Sequence, residues 1–218
     1  MEIAELSALI AMTLGVGWAS GINLYAAVFA LGIAGSTGYV DLPASLDIIQ
    51  SPWVIGTAGF MYLVEFFADK IPGVDSGWDA MHTFIRIPAG ALLASGMLGE
   101  QGMALQLAAG LAGGTMAAGS HATKAGTRAL INTSPEPVTN WTASITEDVA
   151  VFGGIWLMFN HPWMFLCLLV VFVLVAIWLL PRIWRALKVM FRKIRSFFGG
   201  SATEEDMLKP DVDALPKT

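Results

Sequence analysis

Three long stretches of this chain hold no charged residue, and nothing else in the sequence limits the fold so tightly. Leu6 to Val40 gives 35 such residues, Val149 to Pro181 gives 33, and Gly102 to Thr123 gives 22. A helix needs about 20 mainly apolar residues to cross the hydrocarbon core of a bilayer. The surface helices of water-soluble proteins instead carry one apolar stripe and one charged face. Composition points the same way. Of 218 residues, 56% are hydrophobic and 13% are charged, roughly half the charged share of a soluble domain. The expected fold class is all-α, a polytopic membrane protein. A soluble enzyme, a secreted disulfide scaffold and a nucleic-acid module are excluded. The single cysteine, Cys167, can close no intramolecular disulfide. The opening Met1-Glu2-Ile3-Ala4-Glu5 is acidic and its apolar run is too long for a secretory signal, so no signal peptide is expected.

Six helices are predicted, over roughly 4–34, 52–69, 77–98, 103–131, 144–159 and 162–181. Lys and Arg favour the cytoplasmic side. With the C-terminus inside, six spans put the N-terminus inside too. The 35–51 loop, the Glu100 turn and the Asn160 turn then face outward, and none of them contains Lys or Arg. The expected location is the cytoplasmic (inner) membrane, with both termini cytoplasmic. Residues 182–198 follow as a basic amphipathic segment. Ile183, Leu187, Met190, Phe191 and Ile194 share one side and most of its basic residues the other, so 182–195 is expected to lie on anionic lipid. The polar 199–218 tail reads as disordered.

The two halves look related. Ser20-Gly21-Ile22-Asn23 aligns with Ala118-Gly119-Ser120-His121 at an offset of 98. Each motif lies on the opening helix of a three-helix half, 1–98 and 99–181. An odd number of spans per half inverts the second, and inverted 3+3 repeats are a transporter architecture. Asn23 follows Gly15, Gly17 and Gly21, small residues that allow either a helix break or tight packing.

Polar groups gather toward the inner ends of helices two to five. Glu65 and Asp69 stand one turn apart. Asp75, Asp79, His82 and Arg86 follow at i, i+4, i+7 and i+11, within about 60° of one another. Arg86 reaches deepest, which makes a Glu65–Arg86 pair the first expected neutralisation. His121, Lys124 and Arg128 share a face of the fourth helix. Ser144-Ile145-Thr146-Glu147 has the form of a capping box at the start of the fifth, and Asp148 beside it enters an apolar helix. Ionisable residues inside a membrane are functional candidates by default, and His82 and His121 suit proton coupling. Asp75, Asp79 and His82 have workable metal-ligand spacing, but Arg86 and Lys124 would repel a cation. No metal, cofactor or catalytic residue is assigned. No protease, phosphatase or zinc-hydrolase motif is present.

Gly21-Ile22-Asn23-Leu24-Tyr25-Ala26, the block from Tyr62 to Asp75 and the block from Gly119 to Arg128 resemble the bacterial membrane family catalogued as domain of unknown function 4126. The resemblance runs over roughly 10–180. It implies that Asn23, Glu65, Asp69, Lys70, Asp75, His121, Lys124 and Arg128 are the family's distinctive polar residues, and it brings no activity with it. The expected function is a small transporter or channel-like protein for an ion or small polar or anionic solute, with or without proton coupling. Its pathway is expected to use Gly21, Asn23, Glu65, Asp69, Asp79, His82, Arg86, Gly119, His121, Lys124, Arg128 and Asp148. The alternatives are a non-transporting membrane scaffold and a lipid-head-group enzyme. Expected partners are membrane lipids and a second copy of the chain, not nucleic acid.

Overall fold

Pro52, Pro137 and Pro162 each open a helix. Proline suits a first helical position because its φ is already helical and its missing N–H would be unpaired there. The structure is a computed structural model that describes residues 3–99, 101–133 and 137–198, without the side chains of 137, 191 and 193–198. The described residues form six α-helices: α1 Ile3–Ser36, α2 Pro52–Ala68, α3 Val74–Gly96, α4 Met103–Ile131, α5 Pro137–Asn160 and α6 Pro162–Phe198. A short 3-10 helix, Ala44–Gln50, lies between α1 and α2. Met1, Glu2, Glu100 and the 199–218 tail, all of which carried expectations above, lie outside the described residues, as do residues 134–136.

The all-α expectation holds among the described residues. Two of these helices, α1 and the Pro162–Met190 part of α6, are long and apolar enough to cross a membrane. Helices α3 and α4 are diluted by their charges, among them Asp75, Asp79, Arg86 and Arg128.

Two boundaries differ from the sequence reading. Helix α5 begins at Pro137, seven residues before Ser144. The Ser144–Glu147 capping box is therefore no cap: both residues are mid-helix, with no free N–H group to satisfy. Helix α6 runs unbroken through Pro181 to Phe198. The basic segment thus continues the last apolar helix instead of starting a new one.

Helix α1 occupies the centre. It is buried almost continuously from Gly15 to Leu24, with the other helices around it. Small residues let the backbones approach. A Cβ on Gly17 would stand 2.7 Å from the Cα of Gly113, closer than packed carbon atoms approach. At the α2–α3 turn, Gly73 has φ +86°, a conformation open to glycine at little cost.

The distribution of side chains is inverted relative to a soluble protein. Arg86, Arg128, Glu65, Asp75 and Asp79 have no exposed surface, while Trp53, Phe84, Leu111 and Met103 are each more than three-quarters exposed. Charged residues are almost never fully buried in water-soluble folds unless paired. Here they are buried beside an apolar core that includes Val16, Leu31, Val151 and Met158.

Candidate functional site

The site begins with the backbone. Helix α1 is broken at Asn23, whose φ of −148° and ψ of 95° are not helical. A break frees carbonyl groups that the next turn would otherwise satisfy. Arg86 of α3 takes two of them: its Nη1 donates to the carbonyls of Ile22 at 3.1 Å and Gly21 at 3.4 Å. Asn23 restarts the helix itself, its Oδ1 accepting from the N–H of Ala26 at 3.0 Å. Its Nδ2 donates to Asp148 Oδ1 on α5 at 3.2 Å. Two alternatives, a broken helix and an amide bonded across an interface, are thus both realised in one residue.

Arg86 also reaches acids on two helices. Its Nη2 lies 2.6 Å from Glu65 Oε1, forming the expected pair, and its Nη1 lies 3.0 Å from Asp79 Oδ1. Lys124 on α4 extends the network, with Nζ 3.0 Å from Glu65 and 2.9 Å from Asp69. Arg128, one turn further, forks onto Glu147, with Nε–Oε1 3.0 Å and Nη2–Oε2 2.7 Å. Its Nη1 donates to the Asp69 carbonyl at 2.8 Å. Such two-pronged guanidinium–carboxylate contacts are strong and geometrically specific. The Glu147 carboxylate is therefore a partner of Arg128, which corrects its reading as a cap.

His82 and His121 are each held by hydrogen bonds at both ring nitrogens. His82 Nδ1 donates to the Trp78 carbonyl at 2.8 Å, and its Nε2 lies 3.0 Å from the Tyr25 hydroxyl. The ring stacks on Trp78, with centroids 4.2 Å apart. His121 Nδ1 faces Arg86 Nη1 at 3.2 Å, and its Nε2 lies 2.7 Å from Thr83 Oγ1. A guanidinium can only donate, so Nδ1 accepts and His121 is neutral in this arrangement. His121 thus bridges Arg86 and Thr83.

Asp75 caps the start of α3. Its Oδ1 accepts from the N–H groups of Gly73 and Ser76 and from Asn132 Nδ2 at 2.7 Å. Asn140 of α5 closes this end by donating to Asn132 at 3.0 Å. Lys70 stands apart from the main network. Its Nζ donates to the Phe66 carbonyl at 2.9 Å and to Ser144 Oγ at 3.3 Å. It also lies 2.9 Å from the centre of the Phe66 ring, within reach of cation–π attraction.

Of the residues singled out from sequence, Gly21, Asn23, Glu65, Asp69, Asp79, Arg86, His121, Lys124, Arg128 and Asp148 meet in one connected, buried network. His82 joins at its edge through Tyr25. Gly119 does not take part: a Cβ there would meet nothing within 4 Å, and it is Ser120 and Ala117 that face Gly21. Ser120 Oγ accordingly donates to the Trp18 carbonyl at 2.9 Å. His121, the position matching Asn23 at the offset of 98, lies in unbroken helix. The two halves therefore differ where they were expected to match. Sequence reasoning missed Tyr25, Thr83, Asn132 and Asn140 as members. Asn140, Ser144 and Asp148 form an i, i+4, i+8 stripe that becomes visible once α5 starts at Pro137.

The chain belongs to the family described as Domain of unknown function (DUF4126), which it matches over residues 10–182. No curated protein and no solved structure matches it.

Proposed function

We propose that this protein is a small multi-pass transporter or channel of the cytoplasmic membrane, moving a proton, another ion or a small polar solute. The observation that carries this reading is the break at Asn23. It lies in the central helix of an inverted fold, and its free carbonyls and amide are held by ionisable residues of α3 and α5. Broken helices are tolerated at membrane depth where they are enclosed by protein or line a cavity, and transporters place their binding sites at such breaks. Glu65 and Asp69 are the coupling carboxylates of this proposal, and Lys124 and Arg128 balance them or meet an anionic group.

The apolar exterior supports six spans. Phe84, Trp53 and Leu111 are among the large side chains it presents, and lipid tails would cover them at no desolvation cost. The basic rows of α6 would meet anionic lipid. Both termini would lie on the cytoplasmic side. The 3+3 inverted relation belongs to this proposal in weakened form, because α1 is broken and α4 is not.

A test is proton flux into proteoliposomes loaded with a pH-sensitive dye under an imposed potential. Wild type should exceed empty vesicles, and Glu65→Gln should lose most of that excess. Asp69→Asn serves as a second variant if Glu65→Gln does not fold. Equal fluxes for wild type and a folded Glu65→Gln would remove Glu65 from the mechanism.

One observation favours a second reading, a non-transporting scaffold. Asn23 and Ser120 are each only 1% exposed, as a permanently packed interior requires. Proteoliposomes no leakier than empty ones, with protein shown to be folded, would select it.

A further inference from the structure

Five of the six carboxylates around the break have a basic group within 4.0 Å: Glu65, Asp69, Asp75, Asp79 and Glu147. Asp148 is the exception among the described residues. It is 9% exposed, its Oδ1 accepts from the Asn23 amide, and the Tyr62 hydroxyl of α2 is the other hydrogen-bonding group beside the carboxylate.

The charged and titratable groups facing it come from two neighbouring helices and the turn after one of them. These are Tyr62 on α2, Asp69 and Lys70 in the turn that follows it, and Lys124 on α4. Lys70 is turned to the Phe66 carbonyl and Ser144, and Lys124 is held by Glu65 and Asp69. Helix α1 contributes only the neutral Asn23, and α6 has no Asp, Glu, Lys or Arg before Arg182. On its own helix the adjacent Glu147 is a second acid, spent on Arg128.

A carboxylate enclosed without a counter-charge gains either a cation or a proton. A metal cation has no seat here. The freed carbonyls of Gly21 and Ile22, which could ligate one, are occupied by the Arg86 guanidinium. Among the described residues, no three His, Cys, Asp or Glu groups converge as a metal would require.

We infer that Asp148 is a proton-binding site coupled to the break in α1 through Asn23. The proton sits on Oδ2, and Oδ1 keeps its bond from the Asn23 amide. Protonated Asp148 belongs to the enclosed state described here. Its release leaves an uncompensated charge against the break and favours a state in which water or Lys70 reaches it. This deepens the transport reading and takes its meaning from it, naming the proton as the coupling or transported species, yet proton binding is measured without flux.

The test uses the wild-type chain in lipid vesicles. Dicyclohexylcarbodiimide, a lipid-soluble reagent, adds to protonated carboxyls in apolar surroundings and leaves a stable N-acylurea, located by peptide mass spectrometry. The expected adduct is on Asp148 at acidic pH, falling at least about tenfold at alkaline pH, the change that one pH unit beyond the midpoint gives. No adduct on Asp148, an adduct on Glu65 or Asp79 instead, or labelling that ignores pH overturns the proposal. Labelling at Asp148 without proton flux would leave this site standing and remove the reading of the protein as a proton transporter. Flux without labelling would do the reverse.

Discussion

The guanidinium of Arg86 stands in the gap of α1, 3.1 Å from the carbonyl oxygen of Ile22. A side chain from another helix thus does what the missing turn would have done. The same group neutralises Glu65 at 2.6 Å, so the break and the buried acids depend on one residue.

Removing it should be costly. Arg86→Gln leaves Glu65 and Asp79 without their closest cation, and breaking one side of a buried ion pair costs about 3–5 kcal/mol. Thermal unfolding in detergent should show a large drop in midpoint. The double variant Glu65→Gln with Arg86→Gln should recover part of the loss, because no charge is then stranded. Strict additivity of the two single losses would mean that the residues do not act as a pair.

Arg128 offers a milder contrast. Lysine keeps the charge but cannot fork onto Glu147 while bonding the Asp69 carbonyl. Arg128→Lys should lose about 1.5–3 kcal/mol, the range for a hydrogen bond to a charged group. The same melting assay reads it, and an unchanged midpoint would show that charge alone suffices at this position.

The glycines separate packing from propensity. A Cβ on Gly113 would press on Ala94 and approach the Gly90 carbonyl at 2.9 Å. Gly113→Val should therefore push α3 and α4 apart and lower stability by about 1–3 kcal/mol, as overpacking does. Gly119 has open space around the same atom. Gly119→Ala should raise stability by up to about 1 kcal/mol through helix propensity. Equal effects at both positions would rule out the close contact as the cause.

Accessibility separates an enclosed pathway from a packed interior. Cys167 is exposed, so Cys167→Ser supplies the background for single cysteines at Asn23 and Ser120. In the arrangement described here both sites should resist an impermeant thiol reagent. Reaction from both sides during turnover would support alternating access. Reaction from the cytoplasm alone would indicate a one-sided vestibule, and persistent silence in folded protein would favour the scaffold.

Much of the fold was legible because its signals are local. Charge-free runs located the helices, and the Asp75–Asp79–His82–Arg86 stripe pointed to the Glu65 pair. The start of α5 was not legible. Ser144-x-x-Glu147 imitates a cap, and Thr139 and Asn140 look like loop residues until Asn132 and Arg128 are seen to meet the α5 backbone and side chains from another helix. The contrast between Asn23 and His121 was hidden for a similar reason. Similar motifs precede both, and only α1 breaks, because Arg86 is at hand to satisfy its carbonyls. That is a property of α3 and cannot be read from either motif.

The unbroken course of α6 has a metrical consequence. At 1.5 Å per residue, Arg182 stands about 30 Å along the axis from Pro162, close to the thickness of a bilayer's hydrocarbon core. Its guanidinium lies over the Trp178 ring at 3.7 Å, an aromatic–cation couple suited to the headgroup boundary. On the transport reading α6 is a graduated rod whose upper and lower marks are one membrane apart. The continuation beyond Arg182 would bring its basic rows to the anionic headgroups, so that any tilt of the rod within the bilayer would shift those rows along the membrane surface.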